Sequence, residues 1–270
     1  MKIIAVSNIK GGVGKTTTSV NLAYLCAAEK RATLLWDLDP QGAASYTLQG
    51  EPRERVSARK LVSGKRELPE FIVRTDYPGF DLLPADLSYR NFDVHLSERK
   101  HPTERLLRMS QSLRAGYGAL FMDCPAGISL LSENVLRAAD AIIVPLIPAP
   151  LSVRMLAQLR DFIAGQGWAD LLLMPFFSMV DRRRSLHNEI IASTRVEFPT
   201  MLRTEVPYWS EIERMTIRRA PVPASAPGGP AAAIYRALWA EVSQRIEFPP
   251  ESDVLAPQTV PAAAGAETVS

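Results

Sequence analysis

The sequence predicts an α/β architecture, with one mostly parallel, twisted sheet flanked by helices on both faces. Three observations predict it. Short apolar runs such as residues 3–6 and 119–122 are continuous rather than alternating, as in strands buried on both faces. Segments with helical periodicity separate these runs. A glycine-rich turn joins the first run to the first helical segment. The 270 residues, 47% of them hydrophobic, suffice for one full domain of this kind or two tight ones.

The elements follow in order. Residues 3–6 read as a buried strand, and 16–29 as a helix with Val20, Ala23, Tyr24 and Ala27 on one face. A second buried strand, 32–36, ends on Asp37. Residues 50–76 are more polar, with Arg53, Arg55, Arg59, Lys60, Lys65 and Arg66 among glutamates, and read as a short helix plus surface loop. Strands follow at 80–83, stopped by Pro84, at 119–122, ending on Asp123, and at 141–144, stopped by Pro145. Residues 171–177 form a further strand that Pro175 is expected to shorten. Helices are predicted at 103–114, 152–164 and 185–195, the last with Ser185 as N-cap. The Pro, Ala, Ser and Gly of 222–230 suggest a linker. After it, Ile234, Tyr235, Leu238, Trp239, Val242 and Ile246 form the apolar stripe of a C-terminal helix stopped by Pro249-Pro250. Residues 1–250 are thus expected to be one domain, and 251–270, with little to bury, a disordered tail.

Composition narrows the function classes. The formal net charge is only +2, so any basic surface must be local. No run approaches the ~20 apolar residues of a membrane span, and the N-terminal run is too short for a signal peptide. Cys26 and Cys124 make no disulfide framework and read as small buried hydrophobes. The expectation is a cytoplasmic protein.

The chemistry concentrates in Lys10-Gly11-Gly12-Val13-Gly14-Lys15-Thr16-Thr17, between the first strand and the first helix. The phosphate-loop pattern is Gly-x-x-x-x-Gly-Lys-Ser/Thr. Its first glycine is replaced here by Ile9. What remains supplies the requirement: small residues let backbone N–H groups curl around phosphate oxygens, and the following helix N-terminus faces the anion. Lys15 can reach the β and γ phosphates, and the Thr16 hydroxyl suits Mg²⁺. Lys10 is a second lysine; the residues alone leave it either solvated or engaged. Asp37 and Asp39 lie at or just past a strand end, where ligands bind in open α/β sheets, so they are a turn cap or a metal- and water-handling pair. Asp123 follows Ala-Leu-Phe-Met, which is the Walker B arrangement.

These motifs resemble the ParA/MinD family of deviant Walker ATPases, in particular its short ParA partition branch. The resemblance is carried by Lys10 to Thr18, Asp37-Leu38-Asp39-Pro40-Gln41-Gly42, Asp123-Cys124-Pro125-Ala126-Gly127, the stretch from Val144 to Ser152, and Asp181-Arg182. It covers residues 1 to roughly 220 and implies a single P-loop NTPase domain. It also implies ATP and Mg²⁺ as ligands, and a homodimer that closes over two nucleotides with Lys10 reaching the partner's phosphates. By resemblance, Asp39 positions the attacking water and Asp37 lies near the magnesium shell, with Thr16 and Asp123. The Pro-Ala-Gly turn after Asp123 departs mildly from the family's usual turn. Adenine is placed near Pro145, Pro148 and the polar residues after Phe176 and Phe177.

The family's partners would be non-specific DNA and a ParB-like or other small adaptor protein that stimulates hydrolysis. Such a switch segregates or positions a plasmid, chromosome region or other cargo on the nucleoid. Arg203, Arg214, Arg218 and Arg219 are the candidate DNA contacts, with Arg182, Arg183, Arg184, Arg195 and Arg245 as neighbours. Ion pairing with Glu197, Glu205, Glu211 and Glu213 is the alternative for each. Two other readings stay open: a MinD-like membrane-associated ATPase and a small-molecule P-loop enzyme. The lack of basic and large apolar residues in 258–270 argues against membrane association.

Overall fold

Strands β1 (Lys2–Val6), β2 (Thr33–Asp37), β3 (Val73–Arg74), β4 (Phe80–Leu83), β5 (Ala119–Asp123), β6 (Ala141–Leu146), β7 (Leu172–Val180) and β8 (Val206–Pro207) form one sheet. Their order is β3-β4-β2-β5-β1-β6-β7-β8, and only the β3–β4 pairing is antiparallel. The computed structural model describes residues 1–48 and 57–250. Arg53, Arg55 and the tail 251–270 lie outside the described residues. The helices are α1 (Lys15–Ala28), α2 (Ala43–Thr47), α3 (Ala58–Ser63), α4 (Phe92–Ser97), α5 (Arg105–Ser110), α6 (Leu130–Ala138), α7 (Pro150–Gly165), α8 (Ser185–Glu197), α9 (Ser210–Glu213), α10 (Met215–Arg218), α11 (Val222–Ser225) and α12 (Pro230–Ser243).

The continuous apolar runs are explained by what lies on each side of the sheet. Side chains alternate between faces along a strand. Ile3, Ala5, Leu34, Trp36, Leu120 and Met122 enter one core, shared with α3 to α8. Ile4, Val6, Leu35, Ala119 and Phe121 enter the other, shared with α1, α11 and α12. Both faces are dry, so neither parity of residue is polar.

Helix α1 is buried more fully than a one-face stripe predicts. Val20, Ala23 and Ala27 are buried, but so are Leu22, Leu25, Cys26 and the polar Thr18, Ser19 and Asn21. Asn21 is satisfied at both ends of its amide. Its Nδ2 donates to Thr17 O (2.7 Å) and its Oδ1 accepts from Val222 N (2.7 Å), which fastens α11 to α1.

Two prolines expected to end strands do not. Pro145 lies inside β6 and pairs in register with Phe176. Ser7 N donates to Ile143 O (3.1 Å), so the odd-numbered groups of β6 face β1. At Pro145 that side faces the loop after β1, and no ladder N–H is lost. Pro175 lies inside β7, opposite Val144. Its carbonyl accepts from Leu202 N (2.8 Å), on the side away from β6 and before the β8 pairing begins at Ser178.

Other expectations are corrected by capping and packing. The helix expected at 103–114 is α5 plus a 3-10 turn. Ser185 is the first residue of α8, and Arg184 is its N-cap. The supposed linker contains α11, and α12 ends at Ser243, ahead of Pro249-Pro250. In the polar segment, α3 is capped by Ser57, but Leu68 and Phe71 are buried rather than part of a surface loop.

Helix α5 is started by a residue remote in sequence. Asn134 is fully buried on α6, and its Oδ1 accepts from Arg105 N (2.9 Å) and Leu106 N (3.2 Å). Its Nδ2 donates to Pro102 O (2.7 Å) and Leu130 O (2.9 Å). Asn134→Ala leaves these groups without partners and is expected to cost about 1–3 kcal/mol of stability. Urea unfolding measures this, and an unchanged midpoint would show that the cap carries no weight.

Candidate active site

The site forms where β1, β2 and β5 end together. The loop from β1 to α1 turns through Gly12 (φ 67°) and Gly14 (φ 89°), conformations that side chains with a Cβ rarely adopt. A Cβ on Gly14 would also come within 3.1 Å of Ser178 Oγ. Ile9, in place of the pattern's first glycine, has no positive φ, so the loop needs no glycine there. Lys15 is buried, and its Nζ donates to Lys10 O (3.2 Å) across the loop. Burial draws the Lys15 ammonium pKa down, opposed by Asp123 and Asp39. The Lys10 side chain is exposed.

Asp37 and Asp123 are register partners on neighbouring strands, and both are fully buried. Three donors engage Asp37: Ser45 N (2.8 Å) and Ser45 Oγ (2.7 Å) on Oδ2, and Asp39 N (3.2 Å) on Oδ1. Asp123 Oδ1 accepts from Ser19 Oγ (2.9 Å), whereas Asp123 Oδ2 is buried without a partner. Burial, then the neighbouring Asp37 charge, pushes the Asp123 pKa well up; the Thr16 and Ser19 hydroxyls pull it back in part. Burial likewise raises Asp37. Asp39 is half-buried, and its Oδ1 accepts from Gln41 N (2.9 Å) in the turn that leads through Gly42 to α2.

An open, buried carboxylate oxygen beside Thr16 and Lys15 suits a cation and an anion bound together. Among the described residues no group of three or more His, Cys, Asp or Glu could hold a metal by itself. That fits Mg²⁺, which takes one or two protein oxygens and completes its shell with phosphate and water. Thr16, Thr17, Gly11, Gly12 and Val13 complete the loop, and Val13 is buried beneath it. Cys26 and Cys124 are buried; burial pushes the Cys26 thiol up to about 12 and raises Cys124 as well.

Several residues of the site were missed in the sequence. Asn8, Ser19 and Ser45 carry no pattern of their own and are identified only by what they touch. A cleft beside the loop is lined by Gly14, Thr17, Ser178, Met179, Pro207 and Tyr208. Of the residues that the resemblance places near adenine, Ser178, directly after Phe177, lines this cleft, and Pro145 and Pro148 do not.

The basic residues divide sharply. Arg182 and Arg195 both pair with Glu205 (2.5 and 2.8 Å), and Arg183 pairs with Asp181 (2.8 Å). Arg245 donates to Thr200 O. Arg219, in a left-handed conformation at the end of α10, stacks on the Tyr46 ring (4.6 Å) and donates from Nε to Tyr46 O (3.1 Å). Arg203, Arg214 and Arg218 are exposed, and among the described residues no carboxylate pairs with their side chains.

Residues 1–166 match the family model described as "AAA domain". Chromosome partitioning protein ParA of Caulobacter vibrioides is 32% identical over 205 residues, covering 73% of this chain and 77% of that protein. The chain belongs to the ParA/MinD family of P-loop ATPases. Another ParA/MinD relative, chromosome-partitioning ATPase Soj of Thermus thermophilus, is 34% identical over 255 residues, covering 90% of this chain and 96% of Soj. Cobyrinic acid a,c-diamide synthase of Mycobacterium smegmatis, solved with an ATP analog and magnesium, superposes with a TM-score of 0.77 at 26% identity, covering 90% of this chain and 94% of that one.

Asp123 also yields a stability prediction. A carboxyl whose pKa is raised in the fold destabilises it increasingly as pH climbs above the ordinary carboxylate value. Asp123→Asn removes the ionisation that favours the unfolded chain. At neutral pH with chelator present, its unfolding midpoint by circular dichroism is expected to rise by about 2–4 °C. A lower midpoint would mean that the carboxylate is structurally required even without metal.

Proposed function

We propose that the chain is an ATP-dependent dimerising switch that binds non-specific DNA and segregates or positions a plasmid, chromosome region or other intracellular cargo. A ParB-like or other small activator resets it by stimulating hydrolysis. The observation that carries this reading is the unequal placement of the two loop lysines. Lys15 is buried at its own site, while the Lys10 side chain is exposed at the mouth. A second copy closing over the nucleotide gives Lys10 a phosphate to meet. Ile128 (81% exposed) and Leu151 (59% exposed), on the segments that follow β5 and β6, offer that copy apolar surface.

In this reading Thr16 and Asp123 hold Mg²⁺, with Asp37 beside them. Bound there, Mg²⁺ neutralises charge on the phosphates. Lys15 and the loop N–H groups orient the phosphate chain. Asp39, at the loop edge, holds the attacking water. The cleft lined by Ser178, Met179 and Pro207 receives the base. Arg203, Arg214 and Arg218 contact DNA phosphates, whereas Arg219 secures α10 on α2.

No described helix is long and apolar enough to cross a membrane. The proposed location is the cytoplasm, on the nucleoid. The name of the Mycobacterium smegmatis synthase keeps a small-molecule enzyme as a second reading. ATPase assays with and without DNA and liposomes separate these possibilities. DNA-dependent behaviour supports the switch, liposome dependence a membrane-associated ATPase, and indifference to both a metabolic enzyme.

Lys10→Ala is expected to retain binding of a fluorescent ATP analogue by the monomer while turnover falls about 100-fold. Undiminished phosphate release would sink the cross-subunit role. Arg214→Ala with Arg218→Ala is expected to weaken ATP-dependent DNA retention uniformly across sequences and reduce the log–log salt slope by about 2. An unchanged slope would place the DNA contacts elsewhere.

A further inference from the structure

The loop that carries both lysines is held by a side chain to which no role has been given. Asn8 is only 7% exposed. Its Nδ2 donates to Pro145 O (2.7 Å), and its Oδ1 accepts from Lys10 N (2.9 Å). Both partners fix the amide's orientation, because the flipped group would set oxygen against oxygen and N–H against N–H.

The sheet explains why a side chain is needed there. The last β1-side rung on β6 is Ser7 N to Ile143 O (3.1 Å). The next group facing that way is Pro145, which has no N–H and whose carbonyl would lack a ladder partner. Asn8 supplies the missing donor and, through its other atom, grips the start of the loop. The connection then continues: Lys10 O accepts from Lys15 Nζ (3.2 Å). One amide thus links the end of β6 to the backbone that carries Lys10 and to the carbonyl on which the Lys15 ammonium rests.

The geometry points to Asn8 as a positioning residue that sets the backbone of Lys10, and through it the direction in which the Lys10 side chain leaves the site. The inference rests on the proposed role of Lys10 in turnover. The Lys10 side chain is exposed, with no hydrogen bond or ion pair among the described residues, so the backbone sets the point from which it extends. A shift of the order of an ångström at a reacting group can cost about 100-fold in rate, so a lost backbone clamp is kinetically visible.

The chemistry of the substitutions separates the two halves of the clamp. Asn8→Ala removes both bonds. Asn8→Ser keeps a short acceptor that can still take the Lys10 N–H but cannot reach Pro145. Asn8→Asp keeps the acceptor, sets an oxygen against Pro145 O, and adds a negative charge beside the phosphate loop. A positioning role therefore predicts a split between kcat and KM.

The test measures phosphate release by the full chain at varied ATP·Mg²⁺ for wild type, Asn8→Ala, Asn8→Ser, Asn8→Asp, Lys10→Ala and the Asn8→Ala/Lys10→Ala double variant. Unfolding midpoints are taken on each. Asn8→Ala is expected to lower kcat about tenfold with KM within about twofold. Asn8→Ser should recover most of kcat, and Asn8→Asp should raise KM. The double variant should be no slower than Lys10→Ala within about twofold, because residues acting through one group are not additive. A general loosening of the loop would instead multiply the two effects, and that result overturns the proposal. An impaired Lys10→Ala with normal Asn8→Ala overturns the role of Asn8 alone. A fully active Lys10→Ala overturns the reading of Lys10 and with it the route through Asn8. If Asn8→Ala does not fold, Asn8→Leu, which removes both bonds while filling the buried site, takes its place and is judged with Lys10→Ala by the same additivity criterion.

Discussion

Two buried carboxylates in register at the ends of adjacent strands are the constraint around which this molecule is arranged. Asp37 and Asp123 close β2 and β5, and neither side chain reaches solvent. Burying one ionised carboxylate is costly, and burying two side by side more so. The surrounding residues answer this cost in different ways. Ser45 donates twice to Asp37, and Ser19 once to Asp123. The buried Lys15 ammonium adds a positive charge nearby. One oxygen, Asp123 Oδ2, remains without a hydrogen-bond partner, as the proposed Mg²⁺ site requires.

The same residues join the site to the rest of the domain. Ser45 Oγ also accepts from Ala85 N (2.9 Å), linking α2 to the segment after β4. Its neighbour Tyr46 carries Arg219 at the end of α10. The loop after β2 thus sits between the carboxylates and the segment bearing Arg214 and Arg218. Arg219, grouped with Arg218 by sequence adjacency, serves a different purpose because its left-handed backbone turns the side chain back onto α2.

Much of the fold is legible in the chain because burial on both faces leaves a simple trace. Continuous apolar runs marked the central strands, and glycines with a following Lys-Thr marked the loop. The stripe from Tyr235 to Val242 marked α12. The misreadings share a cause: a local rule was overridden by what lay alongside. Pro145 and Pro175 would end a strand flanked at those points on both sides, but each faces a position where the neighbouring strand does not pair. The short helices α2 and α10 have no side-chain cap to mark their starts, whereas α6 is marked locally by the Ser129–Ser132 capping box.

The sequence by itself determined the chemistry of the loop and the strand-end acids, since those depend on residues adjacent in the chain and on turns that only glycine accepts readily. Which arginines stay open, which carboxylate oxygen lacks a partner, and what grips the loop were decided by tertiary structure. Each depends on distances between residues far apart in sequence: Glu205 with Arg182 and Arg195, Asp37 with Asp123, Asn8 with Pro145. Hydrogen bonding and charge pairing act over a few ångströms, and only the folded sheet brings those groups within that range.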